Sequence, residues 1–155
     1  MTSDSGRSFS AAALTEGRAR GPALVLDEPL SFWGGVDPTT GRIVDIHHPQ
    51  RSATITGTIL VLPGGRGSSS SSSVLAEAIR AEAAPVAVVL AQLDDILVLG
   101  ALVARELYGR SCPMVVLDVE GYGAIASGDE VTVDAGDEDA RVVVGRSLDP
   151  LPRRA

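Results

Sequence analysis

The residues best placed to do chemistry are Gly65-Arg66-Gly67-Ser68-Ser69, followed by Ser70 to Ser73. Glycine lets the backbone approach a ligand closely and adopt positive φ. An apolar segment ends at Leu62, and a segment of helical periodicity begins at Val74. The run between them is therefore predicted to turn a strand into a helix. The first turn of a helix offers N–H groups without partners and the positive end of the helix dipole. A serine hydroxyl placed there can be held as an alkoxide, or can donate to a carboxylate or phosphate. Arg66 adds a permanent charge with the fork geometry that suits carboxylates. These parts together predict an anion- or substrate-binding corner centred on Ser68, with Arg66, Gly67 and Ser69 as binding residues.

Other readings of the corner are weaker. Six consecutive serines resemble a flexible linker in composition. A linker joins two domains, however, and this run joins a core strand to a core helix with no residues to spare. Serine also favours helix N-termini over helix interiors, so Ser71 to Ser73 are expected in the first turn. No glycine follows Ser69, so the nucleophile-elbow pattern of serine hydrolases is missing. His47 and His48 could supply a base, but nothing fixes their geometry. Ser70 stands where the third glycine of a dinucleotide fingerprint belongs.

A second cluster is Leu30-Ser31-Phe32-Trp33-Gly34-Gly35-Val36-Asp37-Pro38, which holds the only Trp and two of the five aromatic residues. In a loop, such a cluster is either a packed plug or a contact surface. Asp37 before Pro38 reads as a turn former. Asp45, His47, His48 and Pro49 extend the same loop, and a loop this long in a compact domain is usually functional. Asp94 and Asp95 read as a helix cap. Adjacent histidines diverge along an extended chain, so His47 and His48 make a poor metal pair. Cys112 is alone, which excludes an internal disulfide and a Cys-rich zinc or iron–sulfur site built from this chain. It reads as a small buried hydrophobe. No metal site is expected.

The chain that must position these residues has 155 residues, enough for one domain with a real core. Hydrophobic residues make up 45 % and charged residues 21 %, an ordinary globular balance. Only 3 % is aromatic, so the core is expected to consist of Val, Leu, Ile and Ala. Thirteen basic against twenty acidic residues give a net charge of −7, a sign that does not attract nucleic-acid backbones. All thirteen basic residues are Arg, which excludes Schiff-base chemistry and a P-loop lysine in this chain. The most apolar stretch, Pro85 to Ala104, carries Asp94 and Asp95 at its middle. Each would cost about 2.5–3.5 kcal/mol at a bilayer centre, so no membrane association is expected. No basic-then-apolar signal opens the chain, and a cytoplasmic location is the simplest expectation.

Residues 1–19 show no sustained periodicity and are expected to be a flexible leader. Ala23 to Leu26, Thr54 to Leu62, Val86 to Leu90 and Met114 to Leu117 read as strands. The span 29–49 reads as loop. Val74 to Glu82 is an amphipathic helix of good formers, and Asp94 or Asp95 can cap a second helix running to about Leu107, with Gly109 as its stop. Val131 to Asp134 and Arg141 to Val144 flank a turn at 136–139 and read as a hairpin. The pattern predicts a mixed α/β domain over 20–147, with helices on one side of a mixed sheet and the outer strands in a second layer. Residues 148–155 are expected to be a tail.

Taken together, these motifs resemble the small subunit, or swivel domain, of aconitase X. The resemblance runs from about Gly17 to about Arg146. It is carried by Pro29-Leu30-Ser31-Phe32-Trp33-Gly34-Gly35-Val36-Asp37-Pro38, by His48-Pro49, and by Leu62-Pro63-Gly64-Gly65-Arg66-Gly67 with Ser68 to Ser73 and Val74. Gly100-Ala101-Leu102-Val103-Ala104 and Pro113-Met114-Val115-Val116 fit as well. The resemblance implies a swivelling β/β/α domain in which Ser68, the first serine of the corner, is the catalytic base. It implies a large-subunit partner that carries an iron–sulfur cluster and most of the substrate site, with no cofactor bound by this chain alone. The chain is then one half of a heteromeric hydro-lyase, separate rather than fused.

Two activities go with aconitase X: dehydration of cis-3-hydroxy-L-proline to a pyrroline carboxylate, and dehydration of mevalonate 5-phosphate. The serine run and Phe32-Trp33 look more like the hydroxyproline type, and the lack of Lys points the same way. The resemblance then implies that Ser68 removes the proton α to the carboxylate of an imino acid. Arg66 holds a carboxylate or braces the loop. The loop from Phe32 through Gly34, Gly35 and Val36 to Asp37 and Pro38, with His48, docks on the large subunit and closes the site. A phosphomevalonate dehydratase small subunit, and a non-catalytic structural or anion-binding swivel module, are the alternatives.

Overall fold

The structure is a computed structural model that describes residues 6–145. Its centre is the run of strands β5 (Ile59–Leu62), β6 (Ala87–Leu90) and β7 (Met114–Val116), paired in parallel. Strand β2 (Gly17–Val25) joins them in parallel through Ala23↔Ile59 to Val25↔Val61. The three short strands β5, β6 and β7 are buried on both faces, which is why each reads in the sequence as an unbroken apolar run. Alternate residues serve two cores. Ile59, Val61, Ala87, Val89 and Val115 point one way, and Leu60, Leu62, Val88, Leu90 and Met114 the other.

The second set of side chains packs under two helices, α2 (Ser71–Arg80) and α3 (Asp95–Tyr108). Leu75, Ala76 and Ile79 of α2 and Leu97, Ala101 and Ala104 of α3 make the helical side of that core. The first set faces strands β8 (Glu130–Ala135) and β9 (Asp139–Gly145), an antiparallel hairpin that contributes Val131, Val133, Val142 and Val144. Strand β1 (Arg7–Thr15) pairs with both β9 and β7, and β8 pairs with β2. The outer strands do form the second layer, and it joins the parallel strands at both edges: these seven strands close into a barrel in the order β1-β7-β6-β5-β2-β8-β9. Its interior is filled by Val, Ile and Ala, as a narrow barrel requires.

The leader expected over 1–19 is corrected by these strands. Residues 7–15 are a barrel strand, and the expected boundary at residue 20 falls inside β2. Phe9, Ala11 and Ala13 of β1 pack on the barrel interior, and Arg141 donates to the Ser8 hydroxyl at 2.6 Å. The tail expected over 148–155 lies outside the described residues. The mixed α/β fold with helices α2 and α3 against one side of the sheet is as expected.

Smaller differences lie in the loops. The span 29–49 holds an irregular turn, α1 (Phe32–Gly35), and a small hairpin of β3 (Val36–Asp37) with β4 (Arg42–Ile43). The strand expected from Thr54 begins only at Ile59, because Thr56 is drawn away to donate its hydroxyl to the Ala83 carbonyl at 2.7 Å. A short helix, α4 (Val119–Gly123), follows β7, capped by Asp118. No helix among the described residues is long and apolar enough to cross a membrane.

Candidate functional site

The serine corner is built by the chain leaving β5. Pro63 ends the strand, Gly64 to Gly67 turn it, and α2 begins at Ser71. Gly67 has φ +88°, a conformation that a side chain would strain. The residue formally preceding α2, Ser70, already has helical angles and makes no side-chain cap. Ser68 caps instead. Its Oγ accepts the Ser70 N–H at 3.0 Å, and its carbonyl accepts the Ser71 N–H at 3.0 Å. Ser72 returns its hydroxyl to the Ser69 carbonyl at 2.9 Å. The half-buried Ser68 Oγ therefore sits at the positive end of α2, whose first turn holds no acidic residue. An N–H donated to Oγ favours the ionised hydroxyl over the neutral one.

Two other segments hold the corner. The carbonyl of Gly64 accepts the Leu30 N–H at 3.4 Å, and Leu30 bridges Gly65. Trp33 donates its N–H to the Oγ of Ser71 at 3.0 Å, and Ser71 is buried. Ser31 donates its hydroxyl to the Trp33 carbonyl at 2.9 Å, and its Oγ lies 3.4 Å from where a Cβ on Gly67 would stand. Gly65 donates its N–H to Oδ2 of Asp94 at 2.7 Å. Gly65, Arg66, Gly67, Ser68, Ser71, Asp94, Ile96 and Leu97 line a cleft of about 70 Å³.

The predicted site residues divide into those at this cleft and those away from it. Arg66, Gly67 and Ser68 line it, and Ser69 is exposed beside them. Arg66 is half-exposed and stands 3.8 Å from the carboxylate of Glu28, a loose pairing that leaves its fork free to turn. The Phe32–Trp33 pair divides between plug and surface. Phe32 is fully buried in the helical core, whereas Trp33 is 58 % exposed next to the corner. Gly34 turns at φ +81°, Gly35 is buried, and Val36 packs in the core. Asp37 and Pro38 do not reach the cleft. Asp37 accepts the Thr39 N–H at 2.9 Å, the local bond of a turn former.

His48 is also away from the cleft. It is buried, accepts the Gln50 N–H on Nδ1 at 3.0 Å, and places Nε2 3.2 Å from the Glu28 carbonyl. With Nδ1 accepting, Nε2 carries the proton and donates it. His48 thus anchors the loop whose Glu28 side chain faces Arg66. Asp94, Ser71, Ile96 and Leu97 are cleft residues that the sequence reading did not assign to the site, and the first two are polar. The available signal was topological: β5 and β6 pair in register, Leu62↔Leu90, so the loops that follow them must meet.

Among the described residues no group of three or more His, Cys, Asp or Glu stands together to hold a metal. Cys112 does not suit a cluster either. It is buried, its thiol donates to the Pro85 carbonyl at 3.5 Å, and burial pushes its pKa up to about 12.

A family model described as the aconitase X swivel domain matches residues 8–143. A cis-3-hydroxy-L-proline dehydratase of Pseudomonas aeruginosa is 49 % identical over 67 % of this chain. A phosphomevalonate dehydratase small subunit of Methanothermobacter thermautotrophicus is 41 % identical over 79 % of this chain and 89 % of its own length. The crystal structure of Thermococcus kodakaraensis aconitase X in its holo-form superposes with a TM-score of 0.77 at 33 % identity, over 88 % of this chain and 98 % of that one. The chain spans only about a fifth of the length of the curated hydroxyproline dehydratases it matches, 22 % and 18 %.

Proposed function

The chain belongs to the aconitase X swivel-domain family, and from that premise we propose that it is the small subunit of a heteromeric hydro-lyase that dehydrates cis-3-hydroxy-L-proline. The single observation that carries a catalytic role is Ser68 Oγ accepting a backbone N–H at the mouth of α2. A serine oxygen can act as a base only where its anion is stabilised. Here the donated N–H, the helix dipole and the permanent charge of Arg66 all favour that anion.

In the proposed reaction Ser68 takes the proton α to the substrate carboxylate. The electron pair of the broken C–H bond forms the new C=C bond, and the hydroxyl at the adjacent carbon leaves, to be released as water. Arg66 holds the substrate carboxylate, with Gly67 and Ser69 offering close backbone approach and further donors. The large subunit supplies the rest of the substrate site and is where an iron–sulfur cluster belongs, since the single buried thiol of this chain does not fit one. The docking face on this side is the loop of Trp33, with exposed Leu93 beside the Asp94 turn. Seating the partner there would shut water from the cleft.

Substrate choice rests on the 49 % identity to a hydroxyproline dehydratase and on the Phe32-Trp33 and serine-run patterns. The phosphomevalonate reading has its own support, because this chain matches 89 % of the length of such a small subunit. The two are separated by purifying the chain anaerobically with its large subunit and offering both substrates. Turnover of the imino acid, lost in Ser68→Ala by about 10²–10⁴-fold with the heteromer intact, is the expected result. Turnover of the phosphate alone would replace the substrate. Undiminished turnover in Ser68→Ala would make this chain a structural module.

A further inference from the structure

Asp94 does more than begin a helix. Its Oδ1 accepts the N–H groups of Ile96 and Leu97, both at 3.0 Å, which is the whole of an N-cap's task. Its Oδ2 turns away from α3 and accepts the Gly65 N–H at 2.7 Å, across 29 residues of sequence. A bond from an ionised carboxylate is among the stronger hydrogen bonds a backbone amide can make. The approach is so close that a Cβ on Gly65 would stand 2.6 Å from Oδ2. A second close contact lies six residues further along, at Gly100. A Cβ on Gly100 of α3 would stand 2.7 Å from the Ser72 carbonyl and 3.1 Å from the Leu75 Cβ. Helix α3 thus grips the serine segment at residue 65 and at residue 72, on either side of Ser68.

We propose that Asp94 is a positioning residue for the reaction, fixing the Gly65 peptide so that the turn through Gly67 delivers Ser68 Oγ to the mouth of α2. The inference rests on the reading of Ser68 as the base. Leu30 holds only the start of the turn, through its 3.4 Å bond to the Gly64 carbonyl and its bridge to Gly65, and Arg66 is only loosely paired to Glu28, so the Asp94 bond is what ties the Gly65 amide to α3. A base must sit within hydrogen-bond reach of the proton it removes, and a displacement of about 1 Å can lower a rate about 10²-fold.

Two substitutions separate positioning from capping. In Asp94→Asn the remaining oxygen still caps α3, but the amide group cannot accept from Gly65. In Asp94→Ser the hydroxyl caps α3 and is too short to reach Gly65. Both are to be assayed in the heteromer beside Ser68→Ala, and amide exchange is to be followed on the same proteins. The expected result is kcat lower by about 10- to 100-fold with KM changed less than about threefold. The Gly65 amide should exchange faster while Ile96 and Leu97 stay protected. Wild-type kcat in both Asp94 variants, with Ser68→Ala inactive, would overturn the inference and leave the base in place. Activity in Ser68→Ala would remove the base assignment and with it the catalytic role of Asp94. Unchanged Gly65 exchange in Asp94→Asn would overturn the grip itself.

Discussion

The four parallel strands end in two unlike surfaces. At their carboxyl ends lies the serine corner, with a cleft of only about 70 Å³. At their amino ends lies a far wider cleft, about 580 Å³, lined by Arg18, Arg20, Arg110, Thr56, Gly57 and Cys112 among others. Size and positive charge would choose the second. Chain direction chooses the first. Helices α2 and α3 both start at the corner and both end at the wide cleft, so the corner receives two positive dipole ends and the cleft two negative ones. The arginines at the wide end answer that polarity: Arg80 and Arg105 stand in the last turns of α2 and α3. Arg110 pairs with Glu82 at 2.8 Å, and Arg20 pairs with Glu130 at 2.9 Å. Helix ends thus account for Arg80 and Arg105, and neighbouring carboxylates for Arg20 and Arg110. The corner offers the Ser68 hydroxyl at the positive end of α2, at the strand ends where α/β proteins place their ligands.

The sharpest way to break this contrast is to remove one group from each end. Ser68→Ala should lower kcat by about 10²–10⁴-fold. Arg110→Ala should leave kcat within about twofold and change stability by less than about 1 kcal/mol, since both members of its ion pair are half-exposed. A large loss of turnover in Arg110→Ala, measured in the same heteromer, would move the site to the wide cleft.

A subtler test uses two glycines with the same backbone demand. Gly67 at the corner and Gly57 at the wide cleft have φ of +88° and +74°. A Cβ at Gly57 would meet nothing within 4 Å, and one at Gly67 would meet only the Ser31 side chain, its Oγ at 3.4 Å and its Cβ at 3.8 Å. Alanine at either position should therefore cost a similar amount, about 1–2 kcal/mol from the left-handed conformation alone. Only Gly67→Ala should also lower kcat, because relaxing its strain moves the neighbouring Ser68. Equal kcat in the two variants, at equal loss in urea midpoint, would mean that the corner tolerates displacement.

The same asymmetry decided what could be read from the sequence. The parallel strands were legible because burial on both faces leaves an apolar run, as in Ile59-Leu60-Val61-Leu62. Helix α3 was legible at both ends, from Asp94 to the left-handed Gly109 at φ +66°. Strand β1 was not. Its inward residues must be small or single aromatics to fit the barrel, its outward ones are wet, and Arg-Ser-Phe-Ser-Ala-Ala-Ala-Leu-Thr carries no strong period. Only its pairing with β9 and β7, far away in the sequence, makes it a strand. The corner itself was visible because glycine and serine are placed there by local geometry. Asp94 looked like an ordinary cap, since its second oxygen answers to Gly65, which only the pairing of β5 with β6 brings near. The split between buried Phe32 and exposed Trp33 likewise depends on which side of the turn meets α2, through the bond from Trp33 to Ser71.

Cys112 offers the gentlest test, on the wide side. A thiol lining an arginine-rich cleft would ordinarily be activated, its pKa drawn down by the positive charge. Here burial dominates and raises it from 9.0 to about 12. The folded chain then keeps a proton that the unfolded chain releases near its ordinary value. Between those two values the folded state binds more protons than the unfolded one, so stability falls as pH rises. The contribution is intact below pH 9 and is lost progressively toward pH 12. Urea midpoints measured from pH 8 to pH 11 should decline more steeply in the wild type than in Cys112→Ala, which removes the titrating group at a constant packing cost. Parallel declines would mean that the thiol senses the arginines after all, and that the wide cleft is more reactive than its buried wall implies.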